Sequence, residues 1–215
     1  MKKEKTKERE SYSIYFLVTA ITSVALLLIT NLAASKLFQV GSVILPVSVI
    51  LFPLTYIIGD VLAEVYGYKK ARLVILIGFL LNAFMSLFFI VCIKLPSAST
   101  WALQNEFEAI LGTTPRLFIA SLSAFLIGSL SNAFVLNVIK KYTKEKHLWV
   151  RTIGSTIVGE LLDTLIFIAI AFYGVVPGSA ILTMIISQYI FKCTYEAIAT
   201  PLTYFVISKF KKLEK

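Results

Sequence analysis

LVILIGFLLNAFMSLFFIVCI, Leu73–Ile93, runs for twenty-one residues without one charged side chain. At 1.5 Å of rise per residue, a helix of that length crosses the ~30 Å hydrocarbon core of a bilayer. Arg72 stands before it and Lys94 after it, so the charges begin where the lipid would end. Lipid, not water, is the solvent this stretch is written for.

Five more stretches on either side meet the same length requirement: roughly Ile14–Ser35, Val43–Val65, Leu117–Ile139, Thr152–Gly174 and Ile181–Ile207. Composition agrees with them. Apolar residues make up 58% of the 215 and charged ones 15%, and the mean hydropathy is +0.84. One aqueous core cannot hide that much apolar surface. The second stretch is the least regular, because Pro46 and Pro53 each remove a backbone donor and bend a helix. A kinked or partly re-entrant helix is expected there, a shape tolerated only against protein or a wet cavity.

Orientation follows from where the basic residues fall. Seventeen of the twenty-one Lys and Arg sit in four segments: the tail MKKEKTKERE, the Tyr66–Arg72 turn, the Lys140–Arg151 loop and the C-terminal tail. With six spans all four lie on one side, which the positive-inside bias makes the cytoplasmic one. The expected fold class is therefore an all-α integral membrane protein with six transmembrane helices, N-in and C-in. It would be a multi-pass membrane protein. Residues 1–11 form a basic cytoplasmic tail, 12–208 the six-helix membrane domain and 209–215 a second basic tail.

The net charge of +9 is explained by these short runs, and no broad basic face points to nucleic acid. Cys92 and Cys193 lie in apolar segments without CxxC spacing and read as small hydrophobes, not as a disulfide or a metal site. No cofactor is expected. The first apolar run is too long for a cleaved signal peptide and lacks a small-residue cleavage site. The long connection Leu95–Pro115 carries Trp101, Phe107, Ile110 and Leu111; it reads as a short interfacial helix or as an ordinary loop with an aromatic anchor. Ala120, Ala124 and Gly128 form a small-residue strip suited to close helix contact, within the bundle or along a homodimer seam.

Six ionisable residues fall inside the spans: Asp60 and Glu64, Glu160 and Asp163, Lys192 and Glu196. Charge at mid-bilayer is costly, so such residues face a partner, a cavity or a solute. Spacings of three or four put each pair on one helix face. Asn31, Asn82, Asn132, Gln188 and Tyr195 add neutral donors and acceptors. Structural explanations exist for some of these groups. Lys192 and Glu196 can neutralise each other within one helix, and Glu64 can reach Lys69, Lys70 or Arg72 across the turn. Asp163, near the middle of its span, is the hardest to explain by anchoring. Five acids against one base suit a solute rich in hydrogen-bond donors or positively charged, and disfavour an anion. The blocks Gly59–Glu64 (GDVLAE) and Gly159–Asp163 (GELLD) look alike, and PLTY occurs at Pro53–Tyr56 and Pro201–Tyr204, but their positions within the spans do not match. They read as coincidence, not as an inverted repeat.

At three of these blocks, FPLTYIIGDVLAEVYGYKKAR, GSTIVGELLDTLIFI and QYIFKCTYE, with NLAASK as a weaker fourth, the chain resembles the queuosine-precursor transporters, also called the vitamin uptake transporter family. The resemblance covers nearly the whole length. It implies six membrane helices and import of 7-deazaguanine bases such as preQ0, preQ1 or queuine for tRNA modification salvage. Residue by residue it points to Asp60, Arg72, Ser155, Asp163, Thr164 and Lys192. Glu160 departs from the family's pattern, where a neutral amide stands; an extra acid there favours a cationic, donor-rich base.

The chemistry fits a purine-like small molecule. A guanine edge presents a ring N–H and an exocyclic amine side by side, and one carboxylate accepts both. Asp163 is the first candidate for that part and Glu160 the second. Lys192, Gln188 or Asn31 would donate to the base carbonyl, Glu196 would extend the polar stripe, and Phe167, Tyr189 or Tyr195 would cover a ring face. The alternative is a substrate-binding membrane subunit of an energy-coupling-factor importer. No P-loop is present, and the first span lacks the alanine spacing such subunits use for docking, so a stand-alone carrier without a partner ATPase is preferred. The GxGD, GxSG and HExxH signatures of membrane proteases and hydrolases are absent from the sequence, which argues against an enzyme.

Overall fold

The computed structural model describes residues 12–142 and 148–214. The basic tail over residues 1–11 and the middle of the Lys140–Arg151 loop, on which the orientation partly rests, lie outside the described residues. The elements in chain order are α1 (Ile14–Ala33), strands β1 (Leu37–Val40) and β2 (Val43–Pro46), a short 3-10 helix (Val47–Leu51), α2 (Phe52–Tyr66), α3 (Tyr68–Lys94), α4 (Gln104–Leu111), α5 (Thr114–Tyr142), α6 (Leu148–Phe172) and α7 (Gly178–Leu213).

Among the described residues, five stretches are long and apolar enough to cross a membrane: Ile14–Ala33, Val47–Tyr66, Tyr68–Lys94, Gln104–Asn132 and Gly154–Phe172. Helix α7 is longer than any of these at 36 residues, but Gln188, Lys192 and Glu196 in its middle dilute its apolar character. The protein is an all-α membrane protein whose outer surface is apolar. On α3, Leu73, Leu76, Leu80, Phe84, Leu87 and Val91 are exposed, while Ala71, Val74, Gly78, Asn82 and Ser86 form the buried stripe. The small and polar side chains of α3 turn inward and the large apolar ones outward, as lipid solvation requires.

The second stretch corrects the sequence expectation of helix from Val43 onward. Its first residues are not helical: β2 pairs antiparallel with β1 in the register Leu37↔Pro46 to Val40↔Val43. The two-residue loop between them is Gly41-Ser42, and Gly41 takes φ 60°, the positive angle a tight hairpin needs at that place. Pro46 is extended and closes the strand, since its ring carries no N–H for a further ladder bond. The chain then tightens into the 3-10 helix, and Pro53 occupies the first turn of α2, where a missing N–H leaves nothing unsatisfied. The irregularity is thus a hairpin and a change of helix type ahead of Pro53.

The Leu95–Pro115 connection does contain a helix, α4, fixed to the end of α3 by a hydrogen bond from Gln104 Nε2 to the Ile93 carbonyl at 3.1 Å. Trp101 and Phe107 pack edge to face at 5.7 Å. The strip Ala120–Ala124 is buried within this chain, so it packs the bundle itself; a homodimer seam would have to use another surface.

Two apolar clusters bracket the bundle. One joins Ala34, Leu117, Ile168, Phe172 and Met184, with Leu37 and Ile44 of the hairpin against it. The other joins Phe16, Leu62, Ala71 and Val74 of α1, α2 and α3. Beyond the second, Ser13 Oγ and Tyr66 Oη both donate to Glu214 Oε1, the latter at 2.9 Å, which ties the ends of α1, α2 and α7 together. Between the clusters the bundle is hollow.

Candidate functional site

The hollow is a cavity of about 280 Å³ lined by α1, α2, α3, α5, α6 and α7. It is near the low end of the roughly 300–1,000 Å³ usual for small-molecule sites and large enough for a flat bicyclic base. Phe52, Phe79, Phe125 and Phe167 give it aromatic walls. Its polar groups are few and specific: Asn31 of α1, Gln188 and Lys192 of α7, and Asp163 of α6, with hydroxyls between them.

The position of Asp163 is set by a close contact between α5 and α6. A Cβ added to Gly128 of α5 would lie 2.9 Å from Asp163 Cβ and 3.1 Å from the Gly159 carbonyl oxygen. A Cβ added to Gly159 would lie 2.9 Å from Asn132 Cβ and 3.1 Å from the Gly128 carbonyl oxygen. The contact is reciprocal: each glycine meets the polar residue four places beyond the opposite glycine, Asp163 after Gly159 and Asn132 after Gly128. Only a bare backbone lets the two helices approach this far, as in small-residue crossings within membranes.

Lys192 is the electrostatic centre. Its side chain is 2% exposed, and its Nζ donates to Asp163 Oδ2 and lies 3.0 Å from Glu160 Oε2. Phe52 covers the ammonium with its ring centroid at 4.5 Å, a cation–π contact that strengthens as water is excluded. Glu160 is held from the other side, since Tyr56 Oη donates to its Oε1. The in-helix pair open to Lys192 and Glu196 does not form: the lysine points across to α6, where two carboxylates on adjacent turns offer more than one. Leaving a buried charge with no partner costs about 3–5 kcal/mol, so a lysine here requires at least one of its two acids.

The sequence candidates divide by place. Asp163, Lys192, Gln188 and Asn31 line the cavity. Gln188 is 4% exposed and its Oε1 has no hydrogen-bond partner, while Asn31 spends one amide hydrogen on the Leu27 carbonyl at 3.0 Å. Glu160 stands behind the lining, joined to it through Lys192. Thr164 and Ser155 are buried on α6 away from the lining. Glu196 is half-buried one turn along α7 from Lys192, and Asp60 is exposed on α2. Glu196 lies within electrostatic reach of both Glu160 and Asp60. Arg72 is exposed in the first turn of α3. Glu64 does not pair across its turn; its partner is Lys211 at the end of α7, 3.8 Å away, with both side chains more than half exposed.

Of the aromatic candidates, Phe167 lines the cavity and Tyr189 and Tyr195 do not; Tyr189 is instead directed at the Ile157 carbonyl. Phe52 and Tyr56, which hold the ion cluster in place, were not among the sequence candidates. Their signal was present: they stand four apart, about two turns and one turn ahead of Asp60, along one row of α2.

Residues 46–206 match the family described as "Putative vitamin uptake transporter". A protein of Bacillus subtilis (strain 168) named "Probable queuosine precursor transporter" is 30% identical over 177 residues, 81% of this chain and 76% of its own. One of the same name from Haemophilus influenzae is 25% identical over 122 residues, 57% of this chain and 49% of its own. No solved structure matches the chain.

Proposed function

The chain belongs to the vitamin uptake transporter family, a multi-pass protein of the bacterial inner membrane, and from that premise we propose that it imports queuosine precursors. The solutes are 7-deazaguanine bases such as preQ0, preQ1 or queuine, bound in the cavity between the two apolar clusters. The observation that carries this reading is a half-buried carboxylate, Asp163, on the wall of a cavity with phenylalanines on its other sides. Asp163 accepts the ring N–H and the exocyclic amine of the base, a two-point match that a neutral amide cannot reproduce. Lys192 and Gln188 supply donors for the base carbonyl, and Phe52 and Phe167 cover its faces. Asp60 and Glu196 continue the polar groups from the cavity toward the end of the bundle that carries Lys211.

We further propose that α7 is the sixth span and that both termini are cytoplasmic. At 1.5 Å per residue its 36 residues exceed the bilayer core by several turns, and Lys209, Lys211 and Lys212 stand on the excess. A carrier of this design works without a partner ATPase and without catalysis.

The test is salvage. A cell unable to make or import deazaguanines, given this chain and fed each base, should regain queuosine in its tRNA without any added ATPase. No rescue by any base, despite membrane expression, would sink the assignment. Asp163→Asn should abolish rescue at unchanged expression, since Glu160 still holds Lys192 and the fold survives; normal uptake by that variant would remove Asp163 from the site.

A further inference from the structure

A substrate that takes Asp163 must take it from Lys192. The Asp163 carboxylate is engaged by the lysine ammonium, and an ammonium left alone at so buried a place would oppose binding. Glu160 stands one helical turn from Asp163 with Oε2 3.0 Å from the same nitrogen. Its other oxygen, Oε1, is held by the Tyr56 hydroxyl, so Oε2 is the atom left for the lysine, which it meets as an ion pair while accepting no hydrogen bond. Asp163 lines the cavity and Glu160 does not. Asp163 is also the more exposed of the two, 27% against 16%.

We propose that Glu160 is a positioning residue: it is the second seat of the Lys192 ammonium, and it takes the whole charge when substrate claims Asp163. The lysine moves between two acids on adjacent turns of α6 and stays neutralised throughout. The Phe52 ring confines it from the third side. Glu160 then sets how easily Asp163 is released and makes no contact with the base. This rests on the reading of the cavity as the deazaguanine site.

Two measurements on the full-length purified protein separate the proposal from that reading. The first is equilibrium binding of labelled preQ0, a neutral nitrile, and preQ1, a protonated amine. Glu160→Gln should raise Kd about tenfold or more for both bases alike, and Glu160→Asp should restore it to within about threefold. In a Lys192→Met background, where no ammonium needs a seat, the same Glu160→Gln change should add less than about twofold, by the logic of a double-mutant cycle. An unchanged Kd in Glu160→Gln overturns the proposal. So does a loss confined to preQ1, which would mean that Glu160 touches the amine, and so does an equal penalty in both backgrounds.

The second measurement is thermal unfolding without substrate. Asp163→Asn and Glu160→Gln should each lower the transition slightly, because one acid suffices to hold the lysine, and the double variant should fall further than their sum. If Asp163→Asn alone falls as far as the double, Glu160 is no seat and the proposal is overturned. If neither base binds the wild-type protein while the unfolding pattern holds, the substrate reading fails and the shared lysine stands.

Discussion

Two short blocks, GDVLAE on α2 and GELLD on α6, are near twins in sequence and opposites in the fold. Both set a glycine before an acid, then aliphatics, then a second acid. On α6 the glycine is the point where α5 touches, and the two acids converge on one buried lysine. On α2 the glycine has nothing within 4 Å of where a Cβ would stand, and both acids are exposed. What an intramembrane carboxylate means is therefore decided by what opposes it, and spacing within its own helix does not carry that information. The winding of α2 shows why. Phe52, Tyr56, Asp60 and Glu64 follow at intervals of four, and each step overshoots a 3.6-residue turn by about 40°. The row begins over Lys192, passes Glu160 at Tyr56, and by Glu64 has turned out to Lys211 at the surface.

The glycines give the strongest way to break this contrast. Gly159→Val forces a branched side chain against Asn132 Cβ and the Gly128 carbonyl, neither of which can swing aside. Overpacking of this kind costs about 1–3 kcal/mol or more, and here it also moves Asp163. The variant should show a lowered thermal transition in detergent and no uptake. Gly59→Val meets open space and should retain both. Equal damage from the two would mean that α2 has a contact as close as that of α5 with α6.

A smaller effect is expected at Asp60. Replacing it with Asn removes a charge near Glu196 but leaves the cavity lining intact, so uptake should fall by no more than about fivefold at unchanged half-saturation. The interaction of one exposed charge with a neighbour is worth at most ~1 kcal/mol. Complete loss of uptake in Asp60→Asn would place it in the site beside Asp163 and erase the distinction between the two blocks.

Much of the membrane fold was legible because lipid demands apolar runs of a set length, and those runs stand plainly between basic residues. Asp163 and Lys192 were legible for the same reason: charge in such a run needs a partner. The hairpin Leu37–Pro46 was hidden because its apolar residues read equally well as the start of a helix, and Gly41 with two prolines marks a break without saying which kind. The partners of the charges were hidden more deeply. Lys192 has Glu196 one turn away in sequence and pairs instead across the bundle with Glu160 and Asp163, a choice made by helix packing. Phe52 and Tyr56 carried no charge to draw notice, although their spacing puts them in line with Asp60.

The smallest effect belongs to Glu64, and it tests the outer end of the α2 row. Its oxygen lies 3.8 Å from Lys211 Nζ, with the two side chains 64% and 52% exposed. At that distance and exposure, water screens the attraction and both long side chains lose freedom in holding it, so such pairs are worth about 0–1 kcal/mol. Glu64→Gln should shift the thermal transition by an amount equivalent to ~0.5 kcal/mol or less, a shift that added salt reduces further, and uptake should not change. A larger, salt-insensitive loss would show that the pair is desolvated in the membrane-embedded protein. The carboxylates of α2 would then face a closed interior along their whole row, and Glu64 would join the polar groups leading from the cavity.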